Sequence, residues 1–254
     1  MKPSSNTILI TGGASGIGYA MAAQFLKRGN TVLVTGRSEE KLAAARRSLP
    51  GLKTFVCDQS DPAAIEQLCA KVTLAFPTLN VLINNAGIGL KLDLNDASRP
   101  LEEFDHEIRT NLIGPIQMVH EFLPLLKRQK SATIVNVTSG LAFVPMALKP
   151  IYCATKAAMH SYTLSLRVQL TNTSVKVVEL VPPAIDTDFN KGQEDMNSAR
   201  LMAPDTFAKA AFRGLRQGRD EILPGLSPVI RLIGRLNPHA IIRRADAERM
   251  SGAA

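Results

Sequence analysis

The chain carries Gly12-Gly13-Ala14-Ser15-Gly16-Ile17-Gly18 between an apolar, β-branched run at 7–11 and a helical pattern at 19–28. Strand, glycine turn and helix in this order form the first half of a dinucleotide-binding βαβ unit. Glycines let the backbone approach a pyrophosphate closely, and the N-terminus of the helix favours an anion. A plain glycine-rich turn is the alternative, which the order of the elements disfavours. The candidate cofactor contacts in this loop are Gly12, Ser15, Gly16, Ile17 and Gly18.

The residues after the second predicted strand, Thr31 to Thr35, bear on the choice of cofactor. In nicotinamide-binding folds an acidic residue about 20 positions after the glycines binds the ribose 2′-hydroxyl, whereas an arginine accommodates a 2′-phosphate. This chain has Gly36-Arg37 there, with no carboxylate before Glu39, so NADP(H) is favoured and NAD(H) is the alternative. Arg37 as a solvated loop charge is the other interpretation, and the neutral Ser15 adds no second basic contact.

The rest of the chain alternates strand and helix patterns. Further strands are predicted at 53–57, 79–83, 133–137, 175–181 and 221–223, and helices at 39–49, 62–76, 101–128, 151–171 and 204–216. This alternation predicts an α/β fold: a single Rossmann-type, doubly wound parallel sheet of about seven strands with helices on both faces. Ligands then bind beyond the carboxyl ends of the strands, where Asp58 and the loop 84–87 fall, although these are also ordinary turn residues. Asn111, Gly114 and Pro115 predict a kink in the longest helix.

A tyrosine and a lysine are spaced by one helical turn in Tyr152-Cys153-Ala154-Thr155-Lys156. Residues four apart share a helix face, and a cation close to a phenol favours its ionised form and lowers its pKa. Such a tyrosine exchanges a proton with a reacting oxygen near neutral pH. The spacing is also a common coincidence in helices, but the other two tyrosines, Tyr19 and Tyr162, have no lysine at this distance.

Composition bounds the class of protein. The 254 residues are 45% apolar and 20% charged, as in ordinary soluble domains. Three cysteines without a CxxC spacing and four scattered histidines predict neither a disulfide framework nor a metal site, and they fit a reducing, cytoplasmic location. The apolar stretch near the start is too short for a signal peptide, and no run approaches the ~18 residues of a spanning helix. A net charge of +8 suits an anionic partner, but the 5% aromatic content without tryptophan argues against nucleic acid.

A single NAD(P)-binding Rossmann-fold domain over 1–254 is predicted, with two special segments. Residues 188–203 are polar and weakly patterned, which predicts a substrate lid. Residues 226–254 form a basic helical tail, in which Ser227 and Pro228 start a helix. Its apolar face comprises Val229, Leu232, Ile233 and Leu236. The tail is interpreted either as a peripheral contact with a membrane or an acidic partner, or as a helix packed on the core or a neighbouring subunit.

Taken together, the motifs resemble those of the short-chain dehydrogenases/reductases of the Tyr-x-x-x-Lys type. The matching residues are Thr11-Gly12-x-x-x-Gly16-Ile17-Gly18, Asn84-Asn85-Ala86-Gly87, Asn111, Ser139, Tyr152-x-x-x-Lys156 and Pro182-x-x-x-x-Thr187. Their order and spacing agree with the family from about residue 7 to residue 223, which is most of the chain. Pro182-Pro183 departs from the family's usual Pro-Gly, and proline has no N–H to offer the nicotinamide.

The resemblance implies a role for each catalytic position. Tyr152 would be the general acid or base, and Lys156 would lower its pKa and hold the nicotinamide ribose. Ser139 would steady the reacting oxygen. Asn111 would place a water that links Lys156 to bulk solvent.

The resemblance also implies cofactor contacts outside the glycine loop. Asp58 would approach the adenine, and Asn85 and Gly87 would approach the adenine-side ribose. Ile185 and Thr187 would anchor the nicotinamide carboxamide, and Ala86 is a further candidate cofactor contact.

The predicted function is an NADP(H)-dependent oxidoreductase that interconverts a carbonyl and a secondary alcohol, with a small-molecule substrate. The alternative is an NAD(P)-sensing binding or regulatory protein on the same fold without turnover. The resemblance further implies a homodimer or homotetramer, formed through the helices after Asn111 and around Tyr152.

Overall fold

In the computed structural model, residues 1–93, 95, 99–190 and 201–236 are described. Seven strands form one sheet in which every pairing is parallel, in the order β3-β2-β1-β4-β5-β6-β7. The strands are β1 (Thr7–Ile10), β2 (Thr31–Gly36), β3 (Lys53–Val56), β4 (Leu79–Asn84), β5 (Ala132–Val137), β6 (Val175–Leu180) and β7 (Glu221–Ile222). The predicted doubly wound parallel sheet is confirmed.

Helices cover both faces of this sheet. They are α1 (Gly16–Leu26), α2 (Glu39–Ser48), α3 (Pro62–Ala75), α4 (Leu101–Ile108), α5 (Gly114–Lys127), α6 (Pro150–Gln169), α7 (Pro204–Arg216) and α8 (Ser227–Leu236). The helix expected at 19–28 begins at Gly16 instead, because the glycine-rich first turn carries no apolar periodicity that would reveal it.

Two separate hydrophobic cores flank the sheet. In β1, Ile8 and Ile10 point into a core that includes Phe25 of α1 and Phe207 of α7. The intervening Leu9 points into the opposite core, which is built largely from α3, α5 and α6. Strands buried on both faces read as continuous apolar runs, which explains why the strand positions could be predicted.

The order of the strands positions the site. The chain winds outward from β1 to β2 and β3, then returns to place β4 on the other side of β1. This reversal opens a crevice beyond the carboxyl ends of β1 and β4, where open α/β sheets bind ligands. A π-helical turn (Arg109–Ile113) separates α4 from α5 where the interruption was expected, and it brings Asn111 to this crevice.

The terminal helix α8 packs on the domain with the face opposite to its apolar stripe. Its inner face includes Arg231, which pairs with Glu221 and lies 5.6 Å from the Phe143 ring centroid, and Gly234, which is too close to Phe143 for a side chain. The stripe predicted from the sequence is exposed: Val229 51%, Leu232 59%, Ile233 36% and Leu236 77%.

Parts of both special segments lie outside the described residues. These are 191–200 of the predicted lid and 237–254 of the predicted tail. At the edges of the lid, Asp188–Asn190 forms a 3-10 turn, and Met202 pairs with Ile185. Among the described helices, none has both the length and the apolar character needed to cross a bilayer.

Candidate active site

A cavity of about 480 Å³ opens at the carboxyl ends of the strands. Most of the predicted site residues line it, and its wall runs from the glycine loop to the tyrosine of α6. The predicted residues in the wall are Gly12, Ser15, Gly16, Ile17, Arg37, Asp58, Asn85, Ala86, Gly87, Ser139, Tyr152, Lys156, Ile185 and Thr187. Gly18 and Asn111 lie just behind it.

The glycine loop is packed tightly against the loop that follows β4. Gly12 has a φ of +64°, and a Cβ there would lie 2.8 Å from the Cα of Ala86. The Asn85 side chain donates hydrogen bonds to the carbonyls of Thr11 (2.9 Å) and Gly12 (3.2 Å). The Thr11 hydroxyl in turn accepts from the N–H groups of Asn85 and Ala86, both at 3.0 Å. Asn85 therefore shapes the cradle itself, whereas a contact with the adenine-side ribose was expected from it.

The N-terminus of α1 faces the cavity with unused donors. Ser15 is the N-cap residue, and within the described residues its side chain makes no capping hydrogen bond. The first N–H groups of a helix have no partner inside the helix, so these amides are available to an anion. The backbone N–H donors, the close approach that the glycines allow and the dipole of α1 together suit a pyrophosphate.

The far end of the cavity is basic. Arg37 Nη1 lies 3.0 Å from His106 Nε2, and Ser38 and Lys41 of the next helical turn also line the wall. Burial acts to raise the pKa of Asp58, but hydrogen bonds from Ser60 and the charges of Arg37 and His106 hold it below its ordinary value. Lys41 was not identified from the sequence. It lies in the first turn of α2, four residues after Arg37, and this spacing could have indicated a second basic contact.

Tyr152, Ser139 and Lys156 converge at the other end. Tyr152 and Ser139 are each 8% exposed, and Lys156 is 5% exposed. Lys156 Nζ donates to the carbonyl of Val137 at 3.0 Å and lies 5.6 Å from the centroid of the Tyr152 ring. The Ser139 hydroxyl lies beside that of Tyr152 and acts to lower its pKa. The strand end of β5 and the first two turns of α6 thus bring together the three polar groups that the motifs predicted.

The electrostatics of this trio differ from the expectation. Burial raises the pKa of the Tyr152 phenol, and the effect of Ser139 only partly offsets this. Burial also lowers the pKa of Lys156 to about 8. The expected net lowering of the tyrosine pKa is therefore absent in the ligand-free protein. Desolvation of the phenol exceeds the stabilisation that Ser139 provides, and Cys153 and Glu107 raise the pKa further.

Asn111 fixes a backbone segment of the site. Its Oδ1 accepts from the N–H of Ile88 (2.9 Å), and its Nδ2 donates to the carbonyl of Ile88 (2.8 Å) and to Thr155 Oγ1 (3.3 Å). A Cβ on Gly87 would lie 3.2 Å from Asn111 Oδ1 and 3.5 Å from Lys156 Nζ, so these side chains meet at one glycine. The predicted water-mediated role of Asn111 stays a prediction.

The loop after β6 closes the end of the cavity where the nicotinamide was predicted to bind. Ile185 is 2% exposed, and the Thr187 methyl lies 3.4 Å from where a Cβ on Gly16 would be, so this loop reaches the glycine loop. Pro182 and Pro183 also line the cavity. The carbonyl of Pro182 accepts a hydrogen bond from the N–H of Gly140 at 3.2 Å, which ties the loop to the strand end that carries the serine.

Three residues of the site gave no signal in the sequence. Phe189 lies with its ring centroid 5.3 Å from that of Tyr152 and covers the site. Lys149 precedes α6 and lines the cavity. Glu107 is fully buried on α4, and its Oε1 accepts from the N–H of Leu90 at 3.4 Å. Each of the three contacts site residues that are far from it in the sequence, and local sequence patterns do not reveal such contacts.

The arrangement fits a dinucleotide. The glycine cradle and the first amides of α1 would hold the pyrophosphate. Arg37 and Lys41 would bind a phosphate on the adenosine ribose, and Lys156 would bind the ribose of the nicotinamide. The Tyr152 and Ser139 hydroxyls would then meet the reacting atoms.

Comparisons with known proteins agree with this geometry. A family model described as short chain dehydrogenase matches residues 6–198. The chain is 43% identical over 224 residues to the uncharacterized oxidoreductase DltE of Bacillus subtilis strain 168, covering 87% of this chain and 89% of the relative. It is 32% identical over 207 residues to the NADP-dependent 3-hydroxy acid dehydrogenase YdfG of Salmonella typhi, covering 81% and 80%.

A solved structure agrees with the fold. A short chain dehydrogenase from Burkholderia cenocepacia J2315, crystallised in complex with NADP, superposes with a TM-score of 0.83 at 24% identity. The superposition covers 96% of this chain and 99% of that one.

Proposed function

The chain belongs to the short-chain dehydrogenase family, and on this premise we propose that it is an NADP(H)-dependent oxidoreductase that interconverts a carbonyl and a secondary alcohol, with Tyr152 as general acid or base. The observation that carries the proposal is the meeting of Tyr152, Ser139 and Lys156 in one cavity with the glycine cradle. When bound, the nicotinamide nucleotide supplies or accepts the hydride.

The protein's own part is to bind one oxygen atom and move one proton. Tyr152 and Ser139 both line the cavity and act on one another, so we expect both hydroxyls to hydrogen-bond the same substrate oxygen. In reduction, Tyr152 would donate its proton to that oxygen while Ser139 stabilises the charge that develops. Lys156, turned toward the site by its bond to the Val137 carbonyl, supplies the positive charge that favours the phenolate. This charge has to act against burial, which raises the tyrosine pKa in the ligand-free protein.

The alternative of an NAD(P)-sensing protein without turnover is less well supported. A sensor needs the cradle but not a buried tyrosine beside a serine and a lysine. Both relatives described above are named as an oxidoreductase or a dehydrogenase.

A direct test is to incubate the purified protein with NADPH and a panel of ketones and aldehydes, and to follow the absorbance of the reduced nicotinamide. We expect consumption of NADPH with at least one carbonyl class, and production of NADPH from the corresponding alcohol and NADP⁺. A protein that binds NADPH tightly but oxidises it with no member of a broad panel would support the sensor instead.

The preference for NADP(H) is supported by the basic end of the cavity. Arg37 and Lys41 are both in its wall, and the first carboxylates of α2, Glu39 and Glu40, are exposed. The Salmonella typhi relative is named as NADP-dependent. Replacing Arg37 and Lys41 together by alanine should weaken NADPH about 10- to 100-fold and leave NADH nearly unchanged, because only NADPH carries the 2′-phosphate.

Fluorescence titration of both nucleotides would measure this. Arg47→Ala, at the exposed far end of the same helix, is the matched control and should change neither affinity. Tighter binding of NADH than NADPH by the natural protein would contradict the preference.

A homo-oligomeric state, dimer or tetramer, is also part of the proposal. Leu164 (37% exposed) and Val168 (75% exposed) lie four apart on α6. The π-helical turn that packs against α6 exposes a further apolar residue, Ile113 (44%). An exposed apolar surface of this kind is typical of a protein–protein contact.

A peripheral membrane contact through α8 is the second surface proposal. The outward stripe of Val229, Leu232, Ile233 and Leu236 is accompanied by the exposed Arg235, and basic amphipathic helices of this kind lie in lipid interfaces. Sedimentation with anionic vesicles should capture the natural protein but not a Leu232→Glu, Leu236→Glu variant. Leu74→Glu, which alters an exposed leucine on α3, is the control. Equal sedimentation of all three would overturn the contact.

We place the protein in the cytoplasm. The support is chemical: none of its three cysteines forms a disulfide in the described part of the chain, and two of them are buried, which suits a reducing compartment.

A further inference from the structure

Lys149 is a buried lysine in the wall of the cavity that the reaction above does not use. It stands directly before α6, three residues ahead of Tyr152, and is 3% exposed. Its N–H donates to the carbonyl of Met146 (3.1 Å), and its carbonyl accepts from the N–H of Cys153 (3.0 Å). The backbone is thus fixed on both sides, and the side chain is held beside the catalytic tyrosine.

Among the described residues, the ammonium of Lys149 has aromatic neighbours but no counter-ion. Nζ lies 4.5 Å from the ring centroid of Phe189 and 6.0 Å from that of Tyr152. In the described part of the chain, no carboxylate lies within ion-pairing distance of it. Burial and the charge of Lys91 lower the pKa of Lys149, and the nearby Cys153 and Glu107 only partly oppose this effect. A buried cation without a partner is unfavourable, and an anionic ligand would relieve that cost.

The position of this cation indicates which ligand it meets. Four cationic side chains line the cavity among the described residues. Arg37 and Lys41 lie at the adenosine end, and Lys156 is bonded to the Val137 carbonyl. Lys149 is left on the substrate side, where the wall is mostly apolar and includes Leu141, Met146, Phe189 and Ile230. Asp188 also lines the cavity, and no ion pair joins it to Lys149.

We propose that Lys149 binds the carboxylate of the substrate, so that the substrates are short oxo acids and the corresponding hydroxy acids. A single ammonium in an apolar wall matches one negative charge, which favours a carboxylate over a doubly charged phosphate. The proposal rests on the proposed function, because it assumes that the reacting oxygen lies between Tyr152 and Ser139. In reduction the hydride goes to the carbonyl carbon and the proton from Tyr152 to its oxygen, while the carboxylate stays unchanged and bound.

The experiment compares each acid with its neutral ester. Acetoacetate and methyl acetoacetate, and levulinate and methyl levulinate, are reduced with NADPH by the natural protein and by the variants Lys149→Met, Lys149→Arg and Lys91→Met. The natural protein should favour the better acid over its ester in kcat/KM. Lys149→Met should lower this acid-to-ester ratio about 10- to 100-fold, the range that loss of a charged hydrogen bond gives. Lys149→Arg should restore much of the ratio, and Lys91→Met, which removes an exposed charge nearby, should leave it unaltered.

The outcomes separate this proposal from the function it rests on. An equal loss for acid and ester in Lys149→Met would indicate a structural role only and would overturn it, as would a natural protein that prefers the esters. If the natural protein reduces no carbonyl, the proposed function fails, and the anion site is judged by calorimetry with butyrate and butyramide on the NADP⁺ complex. Binding of butyrate alone, lost in Lys149→Met, would support the site, and equal binding of both compounds would refute it.

Discussion

At the scale of single residues, Glu107 makes the least expected contribution to the site. Burial raises the pKa of its carboxyl from an ordinary value of 4.5 to about 7, although a hydrogen bond from the N–H of Leu90 and the charges of Lys149 and Lys156 act to lower it. Its Oε2 has no hydrogen-bond partner among the described residues. The folded protein therefore holds a proton on this group in a pH range where the unfolded chain has released it.

This gives a prediction for the pH dependence of stability. Between pH 4.5 and 7 the folded state binds more protons at Glu107 than the unfolded state does, so its contribution to stability is lost as the pH rises through this range. Glu107→Gln retains an acceptor for Leu90 but has no proton to lose. We expect this pH-dependent loss, on the order of 1–3 kcal/mol, to disappear in the variant.

Urea unfolding at several pH values would measure the effect. Glu102→Gln, which alters an exposed carboxylate on the same helix, should keep the slope of the natural protein. An unchanged slope in Glu107→Gln would show that this carboxyl is already ionised at low pH.

Residues with a local signal could be predicted from the sequence, and residues that act across the fold could not. Tyr152 and Lys156 share a helix face, so their spacing, together with the other motifs, indicated a pair. Glu107, Lys149 and Phe189 reach the site from α4, from the loop before α6 and from the turn at Asp188–Asn190, and no local sequence periodicity marks them. The tyrosine pKa was expected to be lowered because a cation was foreseeable from the sequence, whereas the depth of burial was not.

At the scale of elements, the glycine loop works because its first glycine touches the loop after β4. Gly12→Ala would combine a positive φ with a Cβ 2.8 Å from the Cα of Ala86. Gly29→Ala is a matched control, since Gly29 also has a positive φ (+72°) but no atom within 4 Å of a new Cβ. Both variants should lose about 1–2 kcal/mol of stability from the backbone conformation.

Only Gly12→Ala should also weaken NADPH, by tenfold or more, because the loop has to move. Thermal unfolding and nucleotide titration of the two variants would test this. Equal affinity for NADPH in both would mean that the contact between the two loops does not shape the cradle.

The helix α8 illustrates why an apolar stripe does not by itself assign a buried face. The stripe is clear in the sequence and the helix forms over Ser227–Leu236, yet its contact with the domain is made by the opposite face. That face is chosen by the pairing of Arg231 with Glu221 and by the fit of Gly234 against Phe143, which are interactions between distant positions.

At the scale of the whole molecule, parallel strands buried on both faces and their alternation with helices made the architecture predictable. The alternation predicted a parallel sheet with ligands beyond the carboxyl ends of its strands, whereas the strand order, which places the crevice at β1 and β4, comes from the structure. The family, too, could be recognised from the motifs, because they lie at strand ends that the fold brings together.

The exposed apolar surface of α6 predicts that the protein forms an oligomer. Val168→Glu places a charge in the middle of the proposed contact and should convert an oligomer into smaller species in light scattering. Leu74→Glu changes a leucine that is 87% exposed on another helix and should leave the mass unaltered. A monomeric natural protein would exclude this contact. An oligomer that persists in Val168→Glu would mean that the contact between subunits lies elsewhere.

The central claim is that the Tyr152 phenol exchanges the proton with the substrate oxygen. Its most direct test is the single-turnover rate of carbonyl reduction by Tyr152→Phe, which lacks only the hydroxyl, with NADPH bound at saturation. We predict a rate about 10²–10⁴-fold below that of the natural protein, while the variant still binds NADPH. A rate equal to that of the natural protein would contradict the account.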